Sequence, residues 1–114
     1  MDNRREHPRV DVTTAAVVLA RHNTGVAFTI ESISAGGARL VGPLTLDVGE
    51  RVQVLFELAG TPIDVEGEVV RAERHDMMND RVAIAFKNVS ETTRSIIHQI
   101  VVTSLDLEHG RGHP

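Results

Sequence analysis

Three arginines, Arg4, Arg5 and Arg9, crowd the first nine residues of the chain. A guanidinium group grips a phosphate through two parallel hydrogen bonds, and the same fork fits the O6 and N7 edge of guanine. In an extended segment the side chains of Arg5 and Arg9, four residues apart, fall on the same side. A second stretch, Ser32-Ile-Ser34-Ala-Gly36-Gly37, places two hydroxyls and two adjacent glycines within six residues. Paired glycines permit positive φ and let another group come close to the main chain. Taken alone, the stretch reads as a plain reversal of a sheet and the arginines as a solvated terminus. Taken together, they have the chemistry of a small anion site.

Other chemistry finds less support. There is no cysteine, which excludes disulfides, thiol catalysis and cysteine-based metal sites. Six histidines (positions 7, 22, 75, 98, 109 and 113) are scattered, and none has an acidic partner at a spacing that suits acid–base work. Ser32 and Ser34 lack a G-x-S-x-G setting. His109 and His113 sit in a glycine-containing tail and read as a solvated pair. Asp64, Glu66 and Glu68 alternate along a strand and read as its solvated face. Arg71 and Arg74 read as solvent-facing or ion-paired, with lining of a ligand site as the lesser alternative. No enzyme activity and no cofactor or metal is expected.

The charge balance narrows the partners. Net charge is −4, although residues 1–9 hold three arginines against Asp2 and Glu6, so the body is more acidic than the whole. An acidic body suits neither duplex DNA nor an RNA polymer, whose binding requires the neutralisation of many phosphates. Three Phe, with no Trp or Tyr, make a poor base-stacking platform. A small anionic ligand needs only a few arginines. No apolar run approaches the roughly 18 residues that span a bilayer, so membrane insertion is not expected and a cytoplasmic location is.

The elements that must position these residues follow from periodicity. A chain of 114 residues with 41% hydrophobic content forms one domain. Period-two alternation predicts strands at Val10–Arg21, Val26 to about Glu31, Ala38–Val41, Arg51–Leu58, Ile63–Val70 and Val82–Lys87. Gly67, inside the fifth, suggests a bulge or bend. Residues 73–80, with Met77 and Met78, read as a loop. The period then changes: Ile96, Ile97, Ile100, Val101 and Leu105 share one face of a helix over about 91–105, with Ser90 as N-cap. The chain thus divides into an arginine-containing arm (1–9), a β-rich domain closed by the helix (10–107) and a disordered tail (108–114).

In order and spacing, these features resemble the PilZ domain, a bacterial receptor domain for the second messenger cyclic di-GMP. Arg5-Glu-His-Pro-Arg9 matches its R-x-x-x-R motif, and Ser32-Ile-Ser34-Ala-Gly36-Gly37 matches its D/N-x-S-x-x-G motif except at the first position. The likeness extends through the run from Leu46 to Phe56, Val69-Val70-Arg71 and Val82–Phe86. It implies a mainly β protein, a six-stranded antiparallel barrel with a C-terminal α-helix. It also implies a cyclic di-GMP site built from Arg4, Arg5, Arg9, Ser32, Ser34, Gly36 and Gly37. Arg5 and Arg9 would contact guanine edges and phosphates, Ser34 would hydrogen-bond the ligand, and Gly37 would keep the backbone out of its way. Output would pass to a downstream effector protein, in motility, exopolysaccharide or biofilm control, and a homodimer stays open. Ser32 lacks the acidic or amide group of the motif. One lost hydrogen bond of about 1–1.5 kcal/mol predicts roughly tenfold weaker binding. A non-binding protein–protein adaptor is the alternative.

Overall fold

The computed structural model describes residues 8–21 and 24–111, with the side chains of 106–111 excepted. Six strands, β1 (Arg9–Ala20), β2 (Thr24–Ser34), β3 (Gly37–Gly42), β4 (Arg51–Leu58), β5 (Thr61–Arg74) and β6 (Asp80–Lys87), precede one helix, α1 (Glu91–Arg111). The strands form a closed antiparallel barrel in the order β1-β2-β3-β6-β5-β4, with β4 pairing back onto β1. Closure leaves no sheet edge exposed, and alternate residues of each strand point inward.

The interior follows from that alternation. Val18, Ile30, Leu40, Val54, Val69 and Val82, one from each strand, are fully buried. Branched aliphatic side chains fill so narrow a barrel without aromatic bulk. Ile33, on β2, belongs to the same core cluster as Ile97 and Val101 of α1, and the helix packs on β1 and β2. The helix starts where its cap dictates: Ser90 Oγ accepts the Thr93 N–H (3.1 Å) and donates to Thr93 Oγ1 (3.1 Å). It continues to Arg111, so the expected tail at 108–114 is helical backbone as far as that residue. No described helix is long and apolar enough to cross a membrane.

Three boundaries differ from the sequence expectation, for local reasons. Arg9 is the first residue of β1 and not the end of an arm, because its Cα pairs with that of Ser34. The second strand runs on to Ser34, because an extra residue, Glu31, is accommodated as a bulge between Ile30 and Ser32 against β3. The fifth strand extends to Arg74, and its register shift falls between Val69 and Arg71, not at Gly67. Gly67 answers to a different need: a Cβ there would collide with Cγ2 of Ile84 on β6. Bulges bend and twist the strand that carries them. Glu31 and Val70 therefore curve the two strands that flank the β3–β6 pair, one on each side.

Candidate functional site

Between the two bulges lies an open groove of about 560 Å³ on the outer face of the barrel. Its floor is made of small residues, Gly37 and Ala38 of β3 with Ala83 and Ala85 of β6; its rim carries Arg9, Arg39, Arg71 and Arg81, with Glu73 the one carboxylate. Ser34 and Gly36 line the same groove. Strand register explains why these residues meet. Arg9 pairs with Ser34, Ser34 with Gly37, and Gly37 with Ala85, one continuous row across β1, β2, β3 and β6. The next row places Arg39 opposite Ala83 and Ala83 opposite Arg71.

The serine–glycine turn is held by its own hydrogen bonds. Ser34 Oγ accepts the Gly36 N–H (3.1 Å) and donates at the limit of reach to the Gly37 carbonyl (3.5 Å). The Gly36 carbonyl accepts the Phe86 N–H of β6 (2.9 Å), tying the turn to the groove floor. Neither glycine adopts positive φ; Gly49 and Gly60 are the glycines that do among the described residues. The reason for Gly37 is steric. A Cβ at that position would run into the Ile84 carbonyl oxygen of the paired strand. The close approach expected from the sequence is real, and it is made by β6.

Ser32 is placed differently from the other motif residues. It is buried (3% exposed), it is not part of the groove lining, and its Oγ has no hydrogen-bond partner. The bulge at Glu31 accounts for this. Glu31 points outward to Arg81, whose Nε and Nη2 donate to its carboxylate (2.9 and 3.4 Å), while Ser32 turns in. Hydrogen bonding to Glu31 raises the Arg81 pKa further against the opposing effect of burial, with the Glu31 and Glu73 charges adding to it. Arg81 is thus a neutralised cation at one end of the groove. Arg39 and Arg71 have no ion-pair or hydrogen-bond partner among the described residues. Arg4 and Arg5 lie outside the described residues.

Arg39 and Arg81 were not legible as site residues, and Arg71 only as the lesser of two readings. The available sign was indirect. Val82-Ala83-Ile84-Ala85-Phe86 alternates large inward residues with two outward alanines, which leaves bare floor where a strand commonly carries long polar side chains. Arg74 is not part of the groove; it pairs with Asp80 (3.4 Å) and donates to the Asp76 and Met77 carbonyls.

Comparison with known proteins agrees with this architecture. A family profile described as the PilZ domain matches residues 3–102. A search of curated proteins finds no match. Among solved structures, the B. subtilis inhibitor of motility MotI/DgrA is 17% identical, with a TM-score of 0.78 over 91% of this chain and 52% of its own. The PilZ domain of E. coli YcgR with c-di-GMP is 18% identical, with a TM-score of 0.72 over 94% and 95%. The K. pneumonia MrkH–c-di-GMP complex is 21% identical, with a TM-score of 0.76 over 99% and 57%. The chain spans about half the length of MotI and MrkH and nearly all of the isolated YcgR domain.

Proposed function

Since the chain belongs to the PilZ domain family, we propose that it is a receptor for cyclic di-GMP and that the ligand lies in the groove bounded by Arg9 and the Ser34–Gly37 turn. The carrying observation is the strand pairing of Arg9 with Ser34, which brings one residue of each sequence motif to one groove. Their chemistry suits the ligand. Arg9 offers a guanidinium fork to a phosphate or to a guanine edge. The rim arginines make the groove a basic patch on an acidic protein, which concentrates anions there. The YcgR domain and MrkH, which share the fold, are described with c-di-GMP. Arg4 and Arg5, just ahead of Arg9 in the chain, complete the cationic set in this reading, with Arg5 the partner of Arg9. Output passes to an effector protein that distinguishes the occupied from the empty groove.

Titration calorimetry with cyclic di-GMP tests this. Wild-type protein is expected to bind, and Arg9→Ala to lose at least about tenfold in affinity, the worth of one charge-assisted contact. No binding at tens of micromolar, or binding indifferent to Arg9, would sink the reading.

One observation favours the adaptor alternative. Ser32 stands where the family motif has an acidic or amide residue, and its hydroxyl is buried away from the groove. Ser32→Asp, once a melting curve shows that the variant is folded despite the buried position, separates the two readings. A gain in cyclic di-GMP affinity marks a weakened receptor. A partner captured equally with and without nucleotide, by a protein that binds no ligand in either form, marks an adaptor.

A further inference from the structure

We propose that Arg39 and Arg71 form a second anion subsite, which straddles Ala83 and holds a phosphate of the ligand at the end of the groove away from Arg9. This rests on the reading of the groove as a cyclic dinucleotide site, and it adds a role for two residues that belong to neither sequence motif.

Geometry is the first argument. Arg39 on β3 and Arg71 on β5 are both in register with Ala83 on the strand between them. Their Cα atoms are therefore two strand spacings apart, about 10 Å. Long side chains that flank a methyl group at this separation can converge on one group lying over the floor. Arg71 owes its place to the bulge at Val70. Val69 is fully buried, and the extra residue leaves both Val70 and Arg71 facing out along the groove.

Electrostatics is the second. The basic residues of the described surface are largely matched by carboxylates: Arg21 with Glu50, Arg51 with Glu66 and Glu68, Arg74 with Asp80, Arg81 with Glu31 and Glu73, Lys87 with Glu68. Arg39 and Arg71 have no such partner among the described residues, although both line a groove in which Glu73 is present. Two guanidinium groups held near each other repel, and an anion between them removes that cost.

The third argument is the ligand. A cyclic dinucleotide carries two phosphates on opposite sides of its ring. Arg9 serves one end of the groove; the Arg39–Arg71 pair serves the other. A mononucleotide can engage only one of them, so the pair favours the dinucleotide.

The test is the double variant Arg39→Ala/Arg71→Ala, titrated with cyclic di-GMP at several salt concentrations. Both residues are exposed strand positions, so the melting temperature is expected to stay near that of wild type. Affinity is expected to fall by about tenfold or more, and its dependence on salt to become weaker, because screened charge–charge contacts are lost. Ala83→Ile, which fills the floor and leaves both arginines in place, is expected to weaken binding as well. If wild-type binding depends on Arg9 but neither variant changes it, the subsite is overturned and the receptor reading stands. If wild type binds no cyclic di-GMP, the receptor reading fails, and inorganic pyrophosphate decides the subsite by NMR. Movement of the Arg39 and Arg71 Nε–H resonances upholds it; their indifference overturns it.

Discussion

Strand β1 joins two regions rich in arginine in which the arginines have different surroundings. At its far end, Arg21 adopts positive φ and turns its side chain back onto the loop before β4. Its Nε and Nη2 donate to Glu50 (3.0 and 3.1 Å), and Nη2 also reaches the Thr45 carbonyl (3.1 Å). Arg51 nearby is matched by Glu66 at 2.6 Å and Glu68 at 3.7 Å. Arg21 holds a loop, and Arg51 ties β4 to β5. At the near end the groove rests on alanine and glycine, and Arg39 and Arg71 line it with no ion pair among the described residues. The same residue type, exposed in both places, is a clasp in one and lines an open groove in the other. The deciding feature is which carboxylates the register brings alongside.

The largest expected effect on this contrast comes from Gly37→Ala. The new methyl meets a backbone carbonyl of a central strand, which cannot step aside, so a loss of about 3 kcal/mol is expected. Gly67→Ala meets the Cγ2 branch methyl of buried Ile84 instead, a side chain that must shift within the core but is not fixed backbone, so about 1–3 kcal/mol is expected. Denaturant melts compare the two. Equal costs would mean that the groove floor is no more rigid than the far strand.

A middle-sized effect separates the two motif serines. Ser34→Ala leaves the Gly36 N–H without its partner and is expected to cost about 1 kcal/mol, with weaker ligand binding as the turn loosens. Ser32→Ala removes a hydroxyl that has no partner and is expected to be neutral or slightly stabilising. A stability loss for Ser32→Ala as large as that for Ser34→Ala would contradict the placement of the two side chains.

The smallest effect sharpens the clasp side. The Glu66 carboxyl is held below its ordinary range by hydrogen bonds from Asn88 and then from Arg51, which outweigh burial. A carboxyl depressed in the folded state stabilises above its unfolded pKa, and that contribution fades as pH falls through the folded value. Glu66→Gln is therefore expected to melt slightly below wild type at pH 7. The two curves should converge as pH falls below about 4.5, the unfolded carboxylate region. Arg21→Ala should likewise lower the melting temperature and leave cyclic di-GMP affinity unchanged. A change in affinity would mean that the two ends of β1 are coupled.

Much of the molecule was open to inspection in the chain itself. Period-two alternation located all six strands, since the inward residues of a closed barrel are mostly apolar. The change of period, with Ser90 ahead of it, located the helix. Arg9, Ser34, Gly36 and Gly37, which line one groove, could be picked out because motif residues keep a fixed spacing. Other features had no local sign. Whether Ser32 faces in or out depends on the bulge at Glu31, and that bulge exists only because β3 pairs on either side of it. Gly37 is explained by Ile84, distant in sequence and adjacent only in the sheet.

By itself, then, the sequence determined the alternation that closes the barrel, the helix with its cap, and the two short motifs, because these depend on neighbours within a few residues. Tertiary structure alone decided which arginines are matched. Arg21 and Arg71 look alike in the chain. The fold puts Glu50, in the loop before β4, beside one and pairs the other with Ala83 of β6, and charges act over distances in space that have no counterpart in sequence order.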